Sequence, residues 1–274
     1  MPRTGAPRRF NHDAIANDYS AGLSLSQVAR RHGCSPRCVH KVVCRRGQAR
    51  PRRAGVCDHE YFRIIDTEEK AYWAGFLLAD GFIAQNRVNV SVKADDGYHL
   101  EKLRQALKAV NPVKVYRQAR NSYAGGRFAV FGVASPQLLR DLEPLGVVRN
   151  KTGKTEPATG IPQALLRHYW RGVIDGDGYL GYRPRSPGRP LSGFYLGLVG
   201  DRAVVEAFRE FCRTSTRTAA SVRPHKSVFR YLITGRSAAR VASLIYDGAS
   251  VALSRKLDVY IAFRSTYDDE NHNG

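Results

Sequence analysis

The stretch WAGFLLADG at positions 73–81 returns as WRGVIDGDG at positions 170–178, 97 residues further on. In register, Trp73 meets Trp170, Gly75 meets Gly172, Asp80 meets Asp177 and Gly81 meets Gly178. Each copy ends an apolar helical pattern and runs into β-type alternation, so the chain carries one structural unit twice. An interior glycine costs a helix about 1 kcal/mol relative to alanine, so its repetition calls for a compensating contact. Small residues allow two helix backbones to approach closely. Gly75 and Gly172 are therefore expected where the two helices cross on a pseudo-twofold axis, which would bring Asp80 and Asp177 side by side. Neighbouring carboxylates repel unless positive charge lies between them, and a hard divalent cation favours such oxygen ligands. A single Asp-Gly pair would read as an ordinary turn signal; two matched copies favour the paired site.

Around each copy the pattern repeats as α-β-β-α-β-β-α. The first half reads as helix 68–80, strands near 82–83 and 88–93, helix 98–110, strands 113–117 and 127–133, and helix 136–145. The second reads as helix 162–177, strands 179–182 and 194–199, helix 202–213, strands 220–223 and 228–234, and helix 237–246. A last helix is expected near 254–264. The predicted class is α+β, two pseudo-twofold-related halves at 58–158 and 159–274, preceded by a small all-α domain.

That domain, residues 1–46, reads as three short helices. Ser24 can cap the second and Ser35 the third, with Pro36 at its first position. The turn at Gly33-Cys34 precedes a helix carrying Arg37, His40, Lys41, Arg45 and Arg46, which is a helix-turn-helix pattern suited to DNA. It resembles the helix-turn-helix modules of resolvases and transposases; a basic bundle with a structural role is the alternative. Residues 47–57 read as a basic linker, either tracking phosphates or a solvated tether.

The formal net charge is +20, and residues 1–55 hold 12 Lys/Arg against Asp13 and Asp18. Such charge strains a compact fold by self-repulsion and points to a polyanionic partner. Arginine makes up most of the basic side chains and suits phosphate and guanine contacts. Five cysteines, four of them before position 58, make a poor disulfide framework and fit the reducing cytoplasm. Their spacing matches no usual zinc pattern. No apolar run is long enough to span a membrane.

WAGFLLADG and WRGVIDGDG resemble the two signature motifs of the LAGLIDADG homing endonucleases of the single-chain kind. VSVKADDGYHLEKL, LGVVRNKT and ALSRKLDVY are similar to further segments of that family, and the likeness spans about residues 58–265. The resemblance implies two antiparallel sheets forming a saddle over double-stranded DNA, in a monomer. It implies Mg²⁺-dependent double-strand cleavage at a long asymmetric site, leaving short 3′ overhangs. Asp80 and Asp177, with Ala79 and Gly176 beside them, match the metal-binding positions, for two or more Mg²⁺ ions. Asp175 stands where the first copy has Leu78 and is not counted as a ligand. Lys93, Lys151 and Lys256 match basic positions that orient water or balance phosphate charge, or act as plain phosphate clamps. Val199 or Gly200 is expected opposite Lys93 in the second half.

DNA reading falls to the strands, where Gln85, Arg87, Arg117, Arg120, Arg127, Arg183, Arg185, Arg223, Lys226 and Arg230 are the candidates. GYRPRSPGRPLSG (181–193) is either a DNA-contacting hairpin tip or a solvated loop. The closing NHNG is similar to an intein ending, but Gly274 stands where a nucleophile would be needed, so it reads as a polar tail. The rival function is a non-cleaving DNA-binding regulator or an RNA maturase on the same scaffold; both acids are present, which favours the nuclease.

Overall fold

The structure is a computed structural model that describes residues 10–48, 55–117, 125–149, 153–182 and 193–272. The chain forms two compact units, Met1–Arg53 and Ala54–Gly274.

In the first unit three helices follow one another: α1 (His12–Ser20), α2 (Leu25–Arg31) and α3 (Pro36–Arg45). Asn11 caps α1, and Ser24 and Gln27 form a reciprocal capping box on α2. Ser35 caps α3 with Pro36 in the first turn. The turn between α2 and α3 uses Gly33 at φ +62°, a left-handed backbone that glycine adopts without steric cost. Ile15, Tyr19, Val28, Ala29, Val39, Val42 and Val43 form a separate small core.

The second unit contains the duplication. Its first half runs α4 (Glu68–Asp80), β1 (Gly81–Ala84), β2 (Arg87–Lys93), α5 (Gly97–Ala106), β3 (Lys114–Arg117), β4 (Arg127–Val133) and α6 (Pro136–Leu142). The second runs α7 (Leu166–Asp177), β5 (Gly178–Tyr182), β6 (Phe194–Gly200), α8 (Arg202–Thr216), β7 (Arg223–His225), β8 (Val228–Thr234) and α9 (Gly235–Tyr246), followed by α10 (Ser254–His272). Each half contributes a four-stranded antiparallel sheet, in the orders β1-β2-β4-β3 and β5-β6-β8-β7. Alternation decides which face is covered. In β2, Val88 and Val90 are buried while Arg87, Asn89, Ser91 and Lys93 point the other way. The helix-side faces merge into one core that spans both halves, through Trp73, Phe76, Trp170, Phe208 and Tyr246 among others.

Several boundaries differ from the sequence reading. The large unit starts before residue 58, because Gly55 N donates to Ala134 O and Val110 N to Val56 O. Helix α6 stops at Leu142, since Gly146 turns the chain at φ +84°. The strand expected at 220–223 lies at Arg223–His225, where the two-residue Lys226–Ser227 turn sets its register on β8.

Candidate active site

Helices α4 and α7 meet along their small-residue stripes. A Cβ built on Gly75 would lie 2.0 Å from Tyr169 O, and one on Gly172 would lie 2.0 Å from Tyr72 O. The two backbones are therefore in direct contact at both glycines, and each contact mirrors the other. Almost every residue of α4 from Ala71 to Ala79 is buried.

Both helices end in aspartate and then turn extended. Gly81 has φ −75° and ψ 149°, and Gly178 has φ −83° and ψ 170°. Neither glycine sits in the left-handed region, so conformational freedom is not their reason. Crowding is: a Cβ on Gly81 would stand 2.3 Å from Leu77 O, and one on Gly178 would stand 2.7 Å from Ile174.

The seam carries Asp80 to the end of α7. A Cβ on Gly176 would come within 2.4 Å of the Ala79 methyl and 3.3 Å of Asp80 Oδ2. Thus the Asp80 carboxylate, on α4, lies against the last turn of α7, one residue before Asp177. Asp80 is half-buried and Asp177 exposed. A cation reports on both. Lys256, on α10, is buried and pushed down to about 8 by desolvation; Asp175, Asp80 and Asp177 each oppose that shift.

Lys256 does not serve as a free water-orienting donor. Its ammonium donates to Ile174 O, to Asp175 O at 2.9 Å and to Gly178 O at 2.6 Å. A lysine has three donors, and these carbonyls take all of them. It caps the C-terminal end of α7 and places a fixed positive charge behind the acids. Lys93 is exposed at the end of β2. Lys151 lies outside the described residues.

Register corrects the counterpart of Lys93. Gly81 pairs with Val90, and Gly178 pairs with Leu198. Lys93 follows Val90 by three residues, and Asp201 follows Leu198 by three. Both flank the next helical segment with matching backbone angles, −57°/147° and −63°/146°. The equivalent residue is thus Asp201, rather than Val199 or Gly200, and the charge is reversed. Asp201 Oδ2 accepts from Thr155 N at 2.7 Å.

Sequence reasoning missed the polar network that holds α7. Asp175 is buried and accepts from Tyr72 Oη (2.7 Å), Tyr246 Oη (2.6 Å) and Leu253 N (2.7 Å). Since Tyr72 gives its only proton to Asp175, its oxygen accepts from His99 Nε2 at 2.7 Å. That tautomer leaves His99 Nδ1 buried without a partner among the described residues. Burial pushes His99 down to about 3, with Lys102 and Arg255 acting in the same direction. Arg171, also buried, donates to Val251 O, Ile245 O and Glu68 Oε1, tying α7 to the start of α4. The available signal was an arginine and a third acid inside an otherwise apolar motif.

The DNA-reading candidates separate by face. Arg87 lies on the open face of the first sheet but donates to Gly132 O at 2.6 Å. Arg117 pairs with Arg127, and Arg127 shares its strand parity with buried Ala129 and Phe131. These two arginines therefore belong to the helix-side row at the end of their strands, not to the open face. Arg223 and Arg230 pair with each other, and Arg230 with Val199, on the open face of the second sheet. Gln85 and Lys226 occupy two-residue hairpin turns at φ +51° and +55°. Arg120, Arg183 and Arg185 lie outside the described residues, as does most of 181–193. In the first unit, Arg37, His40, Lys41, Arg45 and Arg46 are all exposed, and Arg46 pairs with Asp13 at 2.5 Å.

Among the described residues no three His, Cys, Asp or Glu side chains cluster as a metal site. A set made of the Asp80 and Asp177 carboxylates with the main chain of Ala79 and Gly176 would be all oxygen, which fits a hard divalent ion that keeps some of its water.

No protein-family model matches the chain, and no curated protein matches it. Solved structures do. The homing endonuclease I-WcaI bound to its DNA recognition sequence superimposes with a TM-score of 0.52 at 12% identity, over 72% of this chain and 90% of that one. The LAGLIDADG meganuclease I-AabMI bound to uncleaved DNA gives 0.47 at 13%, over 74% and 91%. Full-length DUF199/WhiA from Thermatoga maritima gives 0.44 at 14%, over 77% and 65%. The likeness to I-WcaI shows that the large unit has the two-halved LAGLIDADG fold.

Proposed function

We propose that the chain is a monomeric, site-specific DNA endonuclease of the homing type, which binds duplex DNA and breaks both strands. The observation that carries this reading is the Asp80 carboxylate lying against the last turn of α7, one residue before Asp177, with both acids acting on the buried Lys256 cation. The net charge of +20 and the basic groups on the two open sheet faces supply the attraction to a polyanion. Having both halves in one chain removes the need for a second copy and suits an asymmetric target.

Asp80 and Asp177 would hold Mg²⁺, with Ala79 and Gly176 beside them. When bound, the ion supplies charge stabilisation at the phosphate and lowers the pKa of water. The chain's own part is positional. The glycine contacts fix the distance between the two acids, and the Asp175 and Lys256 network fixes the end of α7. Lys93 stands at the strand end where it can balance phosphate charge in the first half; Asp201 offers no such help in the second. The three-helix unit adds phosphate contacts through α3, and its tether raises the effective concentration of the nuclease.

The test is enrichment of a randomised duplex library by the full chain with Mg²⁺, followed by sequencing of the cut ends. Double-strand breaks with short 3′ overhangs are expected, abolished by chelation of the metal and by Asp80→Asn or Asp177→Asn, while binding survives. Full cutting by both variants would overturn the site. Binding without cutting would make the chain a regulator, and preference for a structured RNA would make it a maturase.

A further inference from the structure

The two open sheet faces occupy the same places in the duplication but differ in chemistry along their central strands, although the first also exposes Phe82 and Tyr116 on its outer strands. On β2 the open face presents Arg87, Asn89, Ser91 and Lys93. By the same strand register, β6 presents Tyr195, Gly197, Val199 and then Asp201. Tyr179 and Tyr195 are laid across the glycines of each other's strands. A Cβ on Gly197 would strike the Tyr179 ring at 2.4 Å, and one on Gly181 would strike the Tyr195 ring at 2.1 Å. The Tyr179 hydroxyl is buried there without a hydrogen-bond partner among the described residues. Beside this aromatic floor Leu232 pairs with Gly197 and is 37% exposed. Arg223 and Arg230 flank it on the same face.

Ring-over-glycine pairs do repair a sheet, but that accounts for neither Leu232 nor Val199 on the open side. An apolar floor rimmed by arginine suits a polyanion whose inner surface is apolar at chosen points. In the major groove of DNA the base edge with that property is thymine, through its C5-methyl group. A cytosine or guanine edge pressed there would lose water from its donors and acceptors without replacement.

We propose that the second sheet reads its half of the target through thymine methyl groups, with Tyr195, Val199 and Leu232 as the specificity-determining contacts. This rests on the DNA-binding reading above. It predicts A·T pairs at the positions that face these three side chains.

The test uses the wild-type chain and a duplex selected by binding without Mg²⁺. Leu232→Asn identifies the half-site facing the second sheet as the one whose base preferences change. Deoxyuridine is then substituted for thymidine in one half at a time, which removes the methyl and leaves base pairing intact. Affinity is expected to fall about fourfold per contacted methyl in that half, the factor for one buried carbon, and the fall is expected to shrink in Leu232→Asn. No loss in that half, or an undiminished loss in Leu232→Asn, would overturn the inference while leaving DNA binding standing. Failure of any duplex to be enriched would overturn the DNA-binding reading itself, and this inference with it.

Discussion

The two halves of the large unit share a backbone plan and differ in what they put on it. Where α4 and α7 touch, the halves are interchangeable: Gly75 faces Tyr169 O and Gly172 faces Tyr72 O at the same 2.0 Å. One turn further on they part. The first half packs Leu78 beside Gly146, whereas the second buries Asp175 under two tyrosine hydroxyls and a main-chain amide. At the sheet's end Lys93 is answered by Asp201. On the open faces an arginine, asparagine and serine are answered by tyrosine, glycine and valine. Sequence symmetry survives where main chains collide and relaxes where a side chain faces its own partner or solvent.

The largest effects should come from the symmetric part. Gly75→Val and Gly172→Val each force a side chain into a main-chain oxygen, and each is expected to cost about 4 kcal/mol or more by separating the helices. Chemical denaturation of both would measure this. Tolerance of one and not the other would break the equivalence of the two contacts.

The asymmetric part gives the next effect. Asp175→Leu makes the second motif imitate the first, yet it strands the Tyr72 and Tyr246 hydroxyls and removes the charge that most favours the buried Lys256 cation. A loss of about 3–5 kcal/mol is expected from removing one member of a buried charge network. A near-neutral result in the same denaturation assay would mean that the network does not hold α7.

Lys93→Ala sharpens the contrast at the strand ends. Cutting of the strand assisted by the first half is expected to slow about 10–100-fold, somewhat below the loss of a full electrostatic stabiliser, with the other strand little changed. Strand-labelled duplexes would resolve the two rates; equal slowing of both would remove the distinction between Lys93 and Asp201.

A smaller effect concerns the motif tryptophans. His99 packs on Trp73 at 4.9 Å between ring centroids, while Phe208 packs on Trp170 at 5.2 Å. Only the first contact titrates. The folded His99 is depressed to about 3 from 6.5, so as pH falls below 6.5 the unfolded chain gains a proton that the folded chain refuses. Stability contributed by neutral His99 is therefore lost progressively between pH 6.5 and 3, by about 2 kcal/mol at about pH 5. His99→Phe should flatten that part of the profile in thermal melts; an unchanged slope would show that His99 is not its source.

Much of this architecture was legible because it depends on local signals. The glycine–aspartate pattern located α4 and α7, and strand patterns located β2, β4, β6 and β8. What escaped were relations across the chain. Asp175 looked like a spare acid because Tyr72, Tyr246 and Leu253 are far away in sequence. Lys256 was expected to orient water or meet phosphate because the carbonyls it donates to belong to the end of α7, far away in sequence. Arg117 and Arg127 looked like base readers until pairing placed them on the parity of Ala129. Val199 or Gly200 was expected opposite Lys93; the strand register, which depends on pairing between strands, puts Asp201 there.

The measurement that reaches the centre of the account is strand-resolved cleavage of one selected duplex with Mg²⁺ by the wild type, Asp80→Asn and Asp177→Asn. If the two acids share one site across the seam, each variant loses cutting of both strands while still binding the duplex. If each variant loses only one strand and cuts the other at the wild-type rate, the acids act separately, and the shared site is contradicted.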